Sequence, residues 1–145
     1  MHNVESFLTV AQEKNIVHAI QEAEKGTSGE IRVHIENKTK KPALVRAKEV
    51  FLSLKMDKTA QRNGILFYIA TESRQFAIIG DEGIDQVIPK SFWDDEKALV
   101  TGLFAQNKNE EALVKGITKV GEKLKQFFPY QSDDVNELSD AISKG

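Results

Sequence analysis

The chain has 145 residues, no cysteine, and 20 Lys and Arg against 22 Asp and Glu, a formal net charge of -2. That length fits one domain with a single sizeable core, and a composition 40% hydrophobic and 29% charged excludes a disordered chain. The near-neutral balance gives no basic field for nucleic acid or an anionic membrane, and the missing thiols exclude disulfides, thiolate zinc sites and cysteine nucleophiles.

The longest apolar run, residues 65–70, is far short of the ~20 residues that span a bilayer. The opening MHNVESFLTVAQEKN lacks the basic head and apolar centre of a secretory leader. The expectation is a soluble chain kept in the cytoplasm, with no membrane span and no nucleic-acid partner.

Thr9 is placed to cap a helix over residues 10–25, where Ile16, Ala19, Ile20 and Ala23 share one face. Gly26 ends it, and residues 27–29 read as a turn. Glu30–Glu36 alternates cleanly: Ile31, Val33 and Ile35 face a core, while Glu30, Arg32, His34 and Glu36 lie opposite. Pro42 opens a second helix carrying Leu44, Ala47, Phe51 and Leu54 at helical spacing. Gly64–Ala70 is apolar without alternation, as a strand covered on both faces should be. A short turn over 71–74 makes it a hairpin with a strand at 75–79.

Residues 80–85 read as a tight acidic loop. Ser91 then caps a third helix to about residue 104, with Phe92, Leu99, Val100 and Leu103 inward. Asn109 caps a fourth, on which Leu113, Ile117, Val120, Leu124 and Phe127 recur. Gly116 and Gly121 inside it call for a closely packed neighbour, since each costs about 1 kcal/mol against alanine. Pro129 stops it, and Ser132 caps a last short amphipathic helix with Val135, Leu138 and Ile142. The strand–helix–strand stretch predicts a parallel pair with a right-handed crossover, and the hairpin adds an antiparallel neighbour. The fold class is α/β, a mixed sheet layered with helices.

This topology gathers acidic residues. The starts of the first two strands, at Glu30 and Asn63, and the end of the third, at Asp81, share one sheet edge. The loop with Glu82, Gly83 and Asp85, and the helix start at Trp93, Asp94 and Asp95, should hang nearby. Oxygen-rich sites of this kind suit Ca²⁺ or Mg²⁺, while few histidines and no thiols disfavour zinc. Plainer roles compete. Asp94 and Asp95 sit in a first helical turn, where the helix dipole favours anions. Asp81 and Glu82 can simply shape a turn with Gly83. His2, His18 and His34 are isolated, and Trp93 reads as core. No Gly-x-Ser-x-Gly elbow, phosphate loop or EF-hand pattern occurs.

The ordered landmarks resemble the TPM domain family. They are residues 27–33 (TSGEIRV), 62–69 (RNGILFYI), Arg74 with 76–84 (FAIIGDEGI), 87–89 (VIP) with Trp93, Gly116-Ile117, and 127–129 (FFP). The resemblance spans about residues 10–129, so residues 1–129 are assigned as the TPM-like domain and 130–145 as an amphipathic C-terminal extension. It implies a helix–sheet–helix sandwich around a twisted mixed sheet and divalent-cation binding at acidic loops on one sheet edge. Asp81 matches the aspartate after the hairpin, and Glu30 the Gly-Glu pair. The expected site is Asp81, Glu82, Asp85, Glu30, Asp94 and Asp95, supported by Asn63, Gly83 and Trp93. Two alternatives accompany cation binding: a metal-assisted acid phosphatase, and an interaction module in membrane-protein maintenance that meets a protein partner through residues 130–145.

Overall fold

A computed structural model describes residues 7–130 and 137–145. In chain order the elements are α1 (Val10–Glu24), β1 (Glu30–Glu36), α2 (Ala43–Ser53), β2 (Gly64–Ala70), β3 (Gln75–Gly80), α3 (Glu82–Asp85), α4 (Lys90–Ala105), α5 (Asn109–Phe127) and β4 (Ser143–Lys144). The strands form one sheet in the order β3-β2-β1-β4. β1 and β2 are parallel, from Glu30 opposite Gly64 to Glu36 opposite Ala70. β3 returns antiparallel to β2, with Gly80 opposite Ile65.

Helices cover both faces, so the fold is the expected α/β sandwich. Ile65, Phe67 and Ile69 of β2 enter the larger core with Ile31, Val33 and Ile35 of β1 and residues of α1, α4 and α5. Leu66, Tyr68 and Ala70 point the other way into a smaller core with Ala47, Val50 and Phe51 of α2. That division is why β2 shows no polar alternation: a pleated strand sends successive side chains to opposite faces, and here both are apolar.

Local signals fix the ends. Thr9 accepts from the Gln12 N–H at 3.1 Å while Gln12 Oε1 accepts from the Thr9 N–H at 2.9 Å, a reciprocal cap for α1. The glycines of α5 are close-approach points as expected. A Cβ on Gly121 would lie 2.7 Å from the Ala23 Cβ of α1, and one on Gly116 would lie 2.8 Å from Val100 Cγ2 of α4.

Several expectations change. α4 begins at Lys90 behind Pro89, one residue before Ser91, and Asn109 is the first residue of α5 rather than its cap. Leu44 is 51% exposed, because the buried face of α2 runs through Ala47, Val50 and Phe51. The acidic loop is instead a helical turn, α3, capped by the Asp81 carboxylate on the Glu82 N–H at 2.8 Å. The last helix is also absent from residues 137–145. They run irregularly into β4, parallel to β1, with Ser143 opposite His34 and Lys144 opposite Ile35. Ser132 and Val135, on which that helix also rested, lie outside the described residues. Leu138 packs on the smaller core and Ile142 on the larger. A short lone helix gains little by itself, and this segment binds the polar side of β1 instead.

Candidate functional site

Backbone bonds assemble the acidic rim. The Glu30 N–H donates to the Asn63 carbonyl at 3.3 Å, and the Asp81 N–H to the Gly64 carbonyl at 2.9 Å. Glu30, Asn63 and Asp81 therefore meet at one sheet edge, as the topology predicts. Their side chains divide the work differently from the expectation.

Asp81 is buried at 6% exposure, and its carboxylate is held by a residue that sequence reading passed over. Arg62 donates from Nε at 2.8 Å and from Nη2 at 2.9 Å, a two-point clamp. Its Nη1 also lies 3.1 Å from Glu82 Oε1. Arg62 has a left-handed backbone, φ 51°, and its side chain is 41% exposed. Gly83 makes the turn possible: its N–H donates to the Arg62 carbonyl at 2.9 Å, and a Cβ there would lie 2.4 Å from the Gln61 carbonyl oxygen. Asp85 is exposed on the same turn, its carboxyl pushed up by partial burial and then by the charge of Asp81.

Glu30 points to the C-terminal segment. Its carboxylate accepts from the backbone N–H groups of Glu137, at 3.0 Å, and Leu138, and burial pushes it up to about 7 against those donors. Beside it, Glu24 accepts from the Ile31 N–H at 2.9 Å and is pushed up to about 9 by burial and by its hydrogen bond with Asp140. Arg32 donates to the Ala141 carbonyl at 3.2 Å. Asn63 is 1% exposed, with Nδ2 3.4 Å from Ser28 Oγ and Oδ1 without a hydrogen-bond partner among the described residues.

Asp94 is exposed and paired with Lys90 at 3.2 Å, and Asp95 is exposed. Among the described residues, no hydrogen bond or ion pair joins either to Asp81, Glu82 or Asp85. Trp93 packs on the larger core with its ring edge-on to Phe92 at 5.2 Å. Among the described residues, no three His, Asp or Glu side chains are already grouped to hold a metal ion.

Two further carboxylates were hidden in the sequence pattern. Glu36, read only as part of a polar face, is the centre of a buried network. Arg46 of α2 donates to it at 2.8 and 2.9 Å, His34 lies at 3.1 Å, and Tyr68 O–H also donates. Burial opposes ionisation, but these three partners outweigh it and bring the carboxyl down to about 2. Ser143 Oγ lies 2.9 Å from His34 Nδ1, so the network reaches β4. Glu96 of α4 is 1% exposed, and neither of its oxygens has a hydrogen-bond partner among the described residues. Glu96 closes the charged run Asp94-Asp95-Glu96-Lys97, which gave no signal of depth.

The family model described as TPM domain matches residues 2–123. No curated protein matches the chain in sequence. Among solved structures the chain is similar to BA42 from the psychrophilic bacterium Bizionia argentinensis, with 46% identity, all of both chains covered and a TM-score of 0.92. The N-terminal domain of the cg2496 protein from Corynebacterium glutamicum is 14% identical, with 92% of this chain and 84% of that one covered and a TM-score of 0.67. An N-terminal domain of a P. gingivalis protein is 15% identical, with 86% and 83% covered and a TM-score of 0.69. The last two share the fold. Among the described residues no helix is long and apolar enough to cross a membrane.

Proposed function

The chain belongs to the TPM domain family, and on that footing we propose that it is a divalent-cation-binding domain in which Asp81, Glu82 and Asp85 take Ca²⁺ or Mg²⁺ in place of the Arg62 guanidinium. One observation carries this reading: Arg62 spans Asp81 and Glu82 as the local counter-charge, yet its own side chain is 41% exposed. A hard cation offers the same carboxylates a denser charge. It would also relieve Asp85, whose carboxyl is raised partly by the neighbouring Asp81. Glu30 can join the set only after Glu137 and Leu138 release its carboxylate, and Asp94 is already paired with Lys90.

The test is a titration of isotopically labelled, metal-stripped protein with Ca²⁺ and with Mg²⁺, following each backbone amide. Shifts centred on Arg62 and residues 81–85 are expected. Asp81→Asn should abolish them and keep the fold, because asparagine caps a helix as well as aspartate does. Arg62→Gln removes the competing cation and should tighten binding by about fivefold, the worth of one partly exposed ion pair. No shift at millimolar concentrations of either ion would overturn the reading.

A further inference from the structure

At the end of the sheet away from Asp81, where β2 finishes and β3 begins, the fold leaves a cavity of about 660 Å³. Ile69, Phe76 and Phe104 give it an apolar wall, with the two phenylalanine rings edge-on at 5.4 Å. Its charged lining is one-sided. Arg74 from the hairpin turn and Lys97 from α4 both line it, and among the described residues no acidic one does. Neither cation has an ion-pair partner among the described residues. The wall also includes Thr71, 4% exposed, whose hydroxyl is buried without a hydrogen-bond partner among the described residues.

Arg74 adds a second kind of observation. Its backbone is left-handed, φ 53°, at a turn position that glycine or asparagine fills without strain. A long cation occupies a position where the backbone disfavours it, and Arg74 lines this cavity. The volume and the apolar wall with few polar groups match small-molecule sites, and the location is the carboxyl end of the parallel pair, where open α/β sheets hold ligands.

We propose that this cavity binds a small amphipathic anion, an alkyl chain bearing a single carboxylate or phosphate head. The chain lies against Ile69, Phe76 and Phe104, and the head is neutralised by Arg74 and Lys97. The site is separate from the acidic rim and needs no metal.

The experiment uses labelled, metal-free protein and three ten-carbon probes below their aggregation concentrations: decanoate, decyl phosphate and decyltrimethylammonium. Decanoate, decyl phosphate or both should shift the amides of Thr71, Gln75, Phe76, Lys97 and Asn107, and the tighter of the two identifies the head group. The ammonium probe should not. Arg74→Gly removes the charge while relaxing the turn, so the fold is kept. It should weaken anion binding by about fivefold. Lys97→Gln should do the same. The proposal fails if neither anion shifts these amides, if the ammonium probe binds equally, or if Arg74→Gly and Lys97→Gln bind the anions as tightly as the unmodified chain.

Discussion

Glu36 and Glu96 are buried almost equally, 5% and 1% exposed, but burial leaves them in opposite states. Glu36 is surrounded by donors from three elements and held at about 2, so it is ionised at any physiological pH. Glu96 faces Val100 and Gly116 of its own bundle, is pushed up to about 8 by burial, and carries its proton at neutrality. Depth sets the cost of a charge. The number of aimed donors decides whether that cost is met. The first acid ties the sheet to α2 and β4, while the second weakens the helix layer it sits in.

The most severe way to break the contrast is to make Glu36 resemble Glu96. Arg46→Leu should cost about 3 kcal/mol, because an ionised carboxylate stays buried with its main partner gone; a urea titration at pH 7 reads this as a lower midpoint with unchanged slope. Converting Glu96 instead should help. Glu96→Met keeps the shape, removes the unpaired acid and should add about 1–3 kcal/mol at pH 7.

The same pair differs in pH response. Glu96 is raised from 4.5 to about 8, so its contribution is complete below pH 4.5 and is lost as pH climbs through about 8. Glu36 is lowered from 4.5 to about 2, so its contribution holds above pH 4.5 and falls away only in strong acid. Unfolding midpoints from pH 5 to 8.5 should therefore decline in the natural chain and decline less in Glu96→Met. An unchanged slope would show that Glu96 is not protonated in the folded state.

Two glycines sharpen the picture with smaller effects. A Cβ on Gly116 would come within 2.9 Å of Glu96 Oε2 and 2.8 Å of Val100 Cγ2, so Gly116→Ala should cost about 1–2 kcal/mol by overpacking. Gly102, also on α4, has open space where its Cβ would be, and Gly102→Ala should add about 0.5–1 kcal/mol. Thermal midpoints of the two variants should move in opposite directions.

Periodicity made most of the fold legible. The alternation of Glu30–Glu36 and the uniform apolarity of Gly64–Ala70 carry the sheet layers, and the strand–helix–strand order carries the parallel pairing. The rim was legible as backbone placement, since topology alone brings Glu30, Asn63 and Asp81 to one edge. Side-chain direction was not. Arg62 sits in a connection with no periodic pattern, and its left-handed backbone is invisible in composition. The partners of the polar face of β1, Arg46, Tyr68 and the segment after residue 136, lie on other elements and carry no periodic signal that pairs them with it. The stripe of Leu138 and Ile142 suggested a helix, yet these residues reach two different cores from an irregular chain.

β4 is only two residues long and pairs with His34 and Ile35 on the outer flank of β1, where the Gly145 N–H donates to the Ile35 carbonyl at 3.0 Å. Uncovered, that flank would be an open row of hydrogen-bonding groups, a template on which a second molecule could add a strand. Residues 143–145 thus shield the His34–Ile35 part of that edge. Shortening the chain before Ser143 should make its sedimentation depend more strongly on protein concentration than that of the full chain.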